Sequence, residues 1–370
     1  MFCSKCGKEV REGTTFCGNC RNVIMPSCEL RQADAQQQVH VVSKTAMAAV
    51  KSEPPIIAMV IAVVVLVAAM VTGGFGLSGC SSVSSEDSGK NASVENSAEE
   101  NNSEEGSKEE NSKNSIEEYT WAELSAISSE IAEASDENAA VEIAKKYNLV
   151  GEDGILDGSQ RKNVMLSDGT QTSVQIAGFV HDDKSDGGKA GITFIFSDAI
   201  AEHEINPVDT RTTSTVNTGG WEASEMRSWL GSEGKALLPQ DLQDALVEVE
   251  KLTNNTGQTK DDSSVTATSD ELWLFSYVEL AGAPSDEETH SFNVYSDEGS
   301  QYKLFRDQHV ARYDLNSVLT KTYNGESCNW WERSPDAGTE ACFRYVTNVG
   351  VPDVNSLVNK DLAVVPGFCI

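Results

Sequence analysis

The sequence predicts a chain of four parts: a small cysteine-rich module, one transmembrane helix, a disordered acidic stalk and a large α+β domain. Three observations predict this organisation. The first 20 residues contain two C-x-x-C pairs, an uncharged apolar run begins at Ile56, and helical or strand periodicity resumes only near Thr120. The predicted boundaries are 1–21 for the cysteine module, 22–53 for a connector, 54–77 for the transmembrane helix, 81–115 for the stalk, 116–158 for a helical segment and 160–370 for the α+β domain.

Two C-x-x-C pairs define the N-terminal module: Cys3 with Cys6, and Cys17 with Cys20. Four thiolates in this spacing can surround one zinc ion as a tetrahedron, and a segment this short has no other means to hold a fold. Two disulfides or a redox pair are the alternatives, which a cytoplasmic position and the doubled spacing disfavour. The module resembles the short zinc ribbons at the N-termini of many bacterial membrane proteins, although Arg21 replaces the glycine usual there. We therefore expect one structural zinc.

The apolar run from Ile56 to Val71 carries no charge, and with its Gly-rich continuation to Leu77 it reaches the ~20 residues that a bilayer core requires. A buried core helix or strand is the alternative. Lys44 and Lys51 precede the run and acidic residues follow it. The positive-inside rule therefore predicts a single-pass membrane protein whose N-terminus is cytoplasmic and whose C-terminal domain is extracytoplasmic.

Residues 81–115 are mostly Ser, Glu, Asn and Gly, a composition that cannot bury enough apolar surface to offset the entropy of ordering. We expect a disordered stalk there. Cys80 lies just before it, and Leu77-Ser-Gly-Cys80 resembles a bacterial lipobox, in which a signal peptidase cuts before a lipidated cysteine. Some fifty residues precede the span, far more than the n-region of a signal peptide, so a chance cysteine is the favoured alternative.

The charge of the chain limits its partners. The formal net charge is −30 at pH 7, and residues 1–55 hold seven Lys or Arg against five Asp or Glu, so the excess of carboxylates lies in the rest of the chain. A domain that acidic repels phosphate backbones. We expect no nucleic-acid partner for the outer domain.

Local patterns predict the elements of this domain. Thr120 and Glu123 fit a capping box that begins a helix, and a second helix follows to about Asn148. A hairpin turning at Asp168-Gly169 and a buried strand at 191–196 come next. Pro239 is predicted to begin a helix with an apolar stripe. The stripe consists of Leu242, Ala245, Leu246, Val249 and Leu252. The predicted aromatic core consists of Trp221, Trp229, Trp273 and Phe275.

Four blocks of residues 160–370 resemble an uncharacterised bacterial surface domain, domain of unknown function 6273. The blocks are 219–230, 270–276, 330–335 and 364–368. Glu332 stands where that family generally has an apolar residue. The Trp330-Trp-Glu-Arg-Ser-Pro335 block and the terminal Pro-Gly-Phe368 also look distantly similar to C-type-lectin-like and formylglycine-generating-enzyme folds. The resemblance implies no established activity.

The domain offers few candidates for chemistry, because it lacks the common phosphate-loop, nucleophile-elbow and zinc-protease motifs. Neighbouring strand residues point to opposite faces, so one ring of Trp330-Trp331 is expected to be exposed beside Arg333. Trp331 and Arg333 are therefore the predicted ligand-binding residues, with packing as the alternative. His181-Asp-Asp183 could contribute oxygens to calcium, or be solvated. Cys328 and Cys342 could form a disulfide, or correspond to the paired cysteines of formylglycine-generating enzymes. No catalytic residue is predicted.

These observations favour a membrane-anchored bacterial surface protein that presents a binding module for a glycan or protein ligand. The first alternative is a transmembrane sensor in which outer ligand binding is coupled to a cytoplasmic partner through the zinc ribbon. The flexible stalk disfavours it, because a slack tether transmits little conformational change. The second alternative is an enzyme of the formylglycine-generating type.

Overall fold

The structure of the chain is a computed structural model that describes residues 112–207, 216–255, 265–283, 295–312, 314–352 and 354–370. The predicted zinc ribbon, connector, transmembrane helix and most of the stalk lie outside these residues. Within the described ranges, none of the helices combines the length and the apolar character needed to cross a bilayer.

Two helices open the described chain, α1 (Trp121–Ala132) and α2 (Glu137–Lys146). The predicted capping box is present, since the Thr120 side chain accepts from the Glu123 amide and the Glu123 carboxylate accepts from the Thr120 amide. The side chain of Asp136 caps α2 in the same way by accepting from the amide of Ala139. Both predicted helices are thus confirmed, together with the local reason for where they begin.

The first of two five-stranded sheets has the strand order β1-β2-β3-β14-β7, and all its pairs are antiparallel. Its strands are β1 (Arg161–Met165), β2 (Gln171–Phe179), β3 (Ile192–Phe196), β7 (Trp273–Leu274) and β14 (Pro366–Cys369). The hairpin predicted at Asp168-Gly169 joins β1 to β2, and Gly169 has the positive φ that this turn requires. Every residue of β3 is buried, as the apolar run predicted.

The second five-stranded sheet has the order β12-β11-β10-β13-β4. Its strands are β4 (Ala201–His203), β10 (Trp330–Pro335), β11 (Cys342–Val346), β12 (Val354–Leu357) and β13 (Leu362–Val364). The pair β10–β13 is parallel and the others are antiparallel. One residue, Val365, separates β13 from β14, so the chain passes directly from one sheet to the other.

One hydrophobic core runs through both sheets and the helical segment. Trp121 of α1 contacts Phe194 and Phe368 edge-on, with ring centroids 5.7 and 5.9 Å apart. Gly191 permits this approach, because a Cβ there would lie 1.9 Å from the carbonyl oxygen of Ser128. The helical segment therefore packs directly against the first sheet. The described chain is β-rich with short helices, which agrees with the predicted α+β class at a coarse level.

The helix predicted from Pro239 is wrong over most of its length. Helix α4 (Gln240–Gln243) is a single turn, and the chain then forms β5 (Val249–Asn254), which pairs with β6 (Val265–Asp270) as a separate two-stranded sheet. Burial alternates along β5, with Val249, Lys251 and Thr253 inside. The spacing of the apolar residues is compatible with a helix, but hydrogen bonding to β6 makes this segment a strand instead.

The remaining described elements are short. Helix α3 (Glu225–Trp229) continues into a π-helical turn (Leu230–Gly234). The others are α5 (Tyr277–Ala281), α6 (Lys303–Asp307), the hairpin strands β8 (Lys321–Tyr323) and β9 (Glu326–Cys328), and single 3-10 turns at Ile116–Glu118 and Ser317–Leu319.

Candidate functional site

The exposure predicted for the Trp330-Trp331 block is wrong. Both indole rings and Arg333 have no exposed surface. Each indole N–H donates to a backbone carbonyl, Trp330 to Leu319 and Trp331 to His203, at 2.9 Å. The two rings do point to opposite faces, but both faces of this strand are covered. The assignment of Trp331 and Arg333 to ligand binding was based on an exposed ring, and neither side chain is exposed. The assignment itself stays a prediction.

Arg333 belongs to a buried network of charges that joins residues of β10, β5 and the Tyr277–Ala281 helix. Its guanidinium makes a two-pronged contact with Glu279, at 2.9 Å from Nη2 to Oε1, and the same carboxylate lies 2.6 Å from the Lys251 ammonium. Lys251 also donates to Asp182 at 2.7 Å. Burial alone would raise the pKa of Glu279, but Arg333 and Lys251 outweigh it and hold the pKa below its ordinary value.

A neighbouring carboxyl, Glu298, behaves differently. Burial raises its pKa to about 7 although Arg333 is close, and its oxygens accept from the Ser334 hydroxyl and, at 3.0 Å, from the Asn254 amide. All four side chains of the network and Glu298 are almost inaccessible. The network offers no surface to a ligand and acts in holding β5, α5 and β10 together.

Glu332 is a further buried carboxyl, and both of its oxygens lack a hydrogen-bond partner among the described residues. It follows Trp331, whose partner across the ladder is Tyr345, and it lies where the β10–β11 register shifts. Burial raises the pKa of Glu332 to about 8, against the attraction of Arg344. Burial therefore favours the protonated, neutral form of this carboxyl near pH 7.

The calcium interpretation of residues 181–183 is not supported. Asp182 is buried and accepts from Thr193 at 2.6 Å, besides Lys251 and Tyr302 at 2.7 Å. Asp183 points elsewhere and pairs with Lys189 at 2.8 Å. The carboxylates do not converge, and the ring of His181 stacks on Tyr302 at 3.8 Å.

The disulfide considered between Cys328 and Cys342 is absent. Cys328 is a free thiol, which excludes a bond from it to Cys342. Cys369 is also free and is buried beside Thr193 and Asp182. The described ranges contain no cluster of three or more His, Cys, Asp or Glu that could hold a metal. The predicted zinc ligands Cys3, Cys6, Cys17 and Cys20 lie outside these ranges.

An open cleft of about 520 Å³ lies where α3 and the π-helical turn meet the end of β6, and we call it the Arg227 cleft. Its lining combines charges of both signs, three serines and a small apolar floor. The lining residues are Arg227, Ser228, Leu230, Gly231, Ser232, Lys235, Glu248, Ser269, Asp270, Glu271 and Leu272. A smaller cleft of about 220 Å³ adjoins residues 151–160.

Arg227 is held in place by the buried carboxylate of Asp270 and by a backbone carbonyl of β6. Its Nε donates to Oδ1 of Asp270 at 2.6 Å, and its Nη2 donates to the carbonyl of Ser269 at 3.0 Å. The other oxygen of Asp270 accepts from the Trp221 indole at 3.0 Å and from the Thr268 hydroxyl at 2.6 Å. Because Asp270 is itself fixed and desolvated, the half-buried guanidinium has one preferred orientation.

The lining determines what chemistry the cleft supports. Lys235 pairs with Glu271 at 2.5 Å, while Glu248 and the serine hydroxyls of Ser228 and Ser269 face solvent. Among the described residues, no histidine or cysteine lines this cleft. It therefore provides directed hydrogen bonds and charges, which suit the binding of a polar ligand, and does not provide a Ser–His or Cys–His pair.

Sequence reasoning missed this cleft, although a signal was available. Two of the four blocks that carried the family resemblance converge on it. The block 219–230 supplies Arg227, and the block 270–276 supplies Asp270 and Glu271. The available signal was the presence of charged residues, such as Arg227 and Asp270, next to the tryptophans and leucines of these two blocks. Their pairing across 43 positions of sequence was not predictable.

Comparison with known proteins agrees with this resemblance at the family level. Residues 190–370 match the model of a family described as a domain of unknown function, DUF6273. No curated protein and no solved structure matches the chain. The resemblance expected over 160–370 is confirmed over 190–370, which includes all four blocks, whereas a likeness to lectin-like folds is not shown.

Proposed function

We propose that the chain is a membrane-anchored surface protein and that its domain at 116–370 is a binding module for a glycan or protein ligand. The observation that carries this proposal is the Arg227 cleft, an open polar cavity large enough for part of a ligand and built around a fixed guanidinium. In ligand sites, a few precisely placed polar groups fix the orientation of the ligand, and Arg227 provides such a group here.

The sequence supports the membrane anchor and the N-terminal zinc site. The uncharged run at 54–77 is long enough for one crossing, and the lysines before it favour a cytoplasmic N-terminus. The four cysteines at 3, 6, 17 and 20 would hold one structural zinc on that side of the membrane. The acidic stalk would then carry the binding module away from the membrane surface.

Blocking the cleft tests its role. A Cβ added at Gly231 meets no atom within 4 Å, so Gly231→Phe places a ring in the open space of the cleft without a clash at its first carbon. Ala236→Phe is the matched control, because Ala236 is exposed on the next turn and does not line the cleft. Binding of the full-length chain to glycan and peptide arrays should fall with Gly231→Phe and persist with Ala236→Phe. Equal binding by both variants and the unmodified chain would contradict the proposal.

Protease treatment of intact cells tests the topology. The domain should be cleaved from outside, because the lysines preceding the span favour a cytoplasmic N-terminus. Protection of the domain together with accessibility of the N-terminal cysteines would reverse the orientation.

A further inference from the structure

Strand β6 has a free edge that faces away from β5. In an antiparallel pair, each residue directs its N–H and C=O either to its partner or away from it, in alternation. Glu250 pairs with Ser269, and the Glu250 amide donates away from β6, to the carbonyl of Asp183 at 2.9 Å. The carbonyl of Leu252 likewise accepts from Arg333. The opposite residues on β6 must therefore also face away from β5.

The outward-facing residues of β6 are Val265, Ala267 and Ser269. Among the described residues, the carbonyl of Ser269 accepts from Arg227, and the three amides and the other two carbonyls have no partner. Ala267 and Ser269 are exposed and Val265 is half-buried. Within the described part of the chain, this edge presents five backbone groups without a partner, which is the template for an added strand.

Outward backbone groups on two other edge strands do have partners. On β1 the outward amide of Asn163 donates to the carboxylate of Glu117 at 2.6 Å. On β4 the carbonyl of His203 accepts from Trp331. Strand β6 lacks the usual protection, since its sequence contains no lysine and no proline. An edge without these guards is open to pairing with a further strand.

The free edge leads into the Arg227 cleft. Arg227 contacts the outward carbonyl of Ser269, and Ser269, Asp270 and Glu271 line the cleft. An extended segment paired along Val265 to Ala267 would therefore run towards the cleft and place its next residues there. The rise of about 3.3 Å per strand residue means that three or four residues cover this path.

Charge around the edge is mainly acidic. Glu222 accepts from the Thr266 hydroxyl at 3.0 Å, and Glu248 and Glu271 line the cleft with Asp270. Among the described residues that line the cleft, the cations are Arg227 and Lys235, and each is already paired with a carboxylate. This surface complements a positively charged segment, and the acidity of the whole chain would increase the rate of encounter.

We infer that the ligand of the Arg227 cleft is an extended, lysine- or arginine-bearing peptide segment that adds to β6 as a further strand. This inference rests on the proposed function, because it assigns a ligand class to the same cleft. Backbone hydrogen bonds to Val265 and Ala267 supply sequence-independent attraction, and the carboxylates in and beside the cleft select basic side chains.

The test uses the full-length chain and a capped nonapeptide of alternating lysine and threonine, with its glutamate-for-lysine counterpart as the charge control. Fluorescence anisotropy should show binding of the lysine peptide, weakened by salt, and at least tenfold weaker binding of the glutamate peptide. Two further peptides carry N-methyl groups at either the odd or the even positions. Strand addition requires that one of these peptides loses binding and the other retains it, because alternate amides face β6.

Variants of β6 complete the test. Ala267→Pro removes an outward amide and no ladder bond, so it should weaken the lysine peptide at least tenfold, while Ala267→Val should not. If Ala267→Pro fails to fold, Val265→Pro replaces it in the test, because Val265 is the first residue of the strand and its amide also faces outward. This variant should likewise weaken binding of the lysine peptide. Unchanged peptide binding by the folded proline variants would overturn the inference. If the chain binds glycans in a way that Gly231→Phe blocks but does not bind the peptides, the inference of a peptide ligand is overturned and the proposed function stands. If the chain binds neither glycans nor peptides, the inference and the proposed function are both overturned.

Discussion

Replacing Glu332 by glutamine should stabilise the protein in a pH-dependent way. The carboxyl is completely buried without a hydrogen-bond partner among the described residues, and burial raises its pKa to about 8 from an ordinary value of 4.5. Between these two pH values the folded chain retains the proton that the unfolded chain releases. Stability therefore falls as pH rises from about 4.5 towards 8, by at most about 1.4 kcal/mol per pH unit.

The size of the effect follows from this window. Keeping Glu332 protonated at pH 7 costs on the order of 3 kcal/mol of unfolding free energy relative to pH 4.5. Glutamine has nearly the same shape and does not titrate. Glu332→Gln should therefore match the unmodified chain near pH 4.5 and exceed its stability by roughly 3 kcal/mol at pH 7, a large share of the ~5–15 kcal/mol typical of a domain.

Urea denaturation of the full-length chain at pH 5 and pH 7.5, followed by tryptophan fluorescence, measures this difference. All six tryptophans lie between positions 121 and 331, so the signal reports on this domain alone. Glu326→Gln is the control, because Glu326 is exposed on β9 and should leave the curve unchanged. Parallel stability curves for Glu332→Gln and the unmodified chain would refute the reasoning that Glu332 is held neutral by burial.

Three further predictions concern the network, the aromatic core and the zinc site. Arg333→Met leaves Glu279 buried beside Lys251 alone and should cost about 3–5 kcal/mol in urea denaturation; a loss below 1 kcal/mol would contradict a role in stability. Trp273→Ala and Trp331→Ala should each cost roughly 3–5 kcal/mol, since both rings are fully buried, and a near-neutral Trp331→Ala would restore the idea of an exposed ring. A peptide of residues 1–30 should bind one equivalent of zinc by elemental analysis and unfold on Cys17→Ser, because all four thiolates are needed; structure that persists in strong chelator would exclude the site.

Tertiary contacts decided the features that carry the candidate site. Trp331 and Arg333 belong to a strand whose alternation was correctly anticipated, but alternation cannot tell whether the second face is also covered. Here the network containing Glu279 covers one face of β10 and the contacts of Trp330 cover the other. Burial of both faces depends on elements far away in sequence.

The segment after Pro239 shows the same limit. The apolar positions from Leu242 to Leu252 fit a helix, but β5 forms because its backbone pairs with β6 on one side and bonds Asp183 on the other. Those partners also bury Lys251 against Asp182. A local apolar pattern indicates which residues prefer the interior, but it does not indicate which distant strands will supply backbone hydrogen bonds.

The sequence by itself determined the features that depend on neighbouring residues. The capping box at Thr120, the second helix, the turn at Asp168-Gly169 and the buried strand at 191–196 all follow from interactions within a few positions. The Arg227 cleft, the free edge of β6 and the unpaired Glu332 were decided by the tertiary structure alone. Each of them depends on which distant backbone or side-chain groups are left with or without a partner after the sheets assemble, and no short stretch of sequence contains that information.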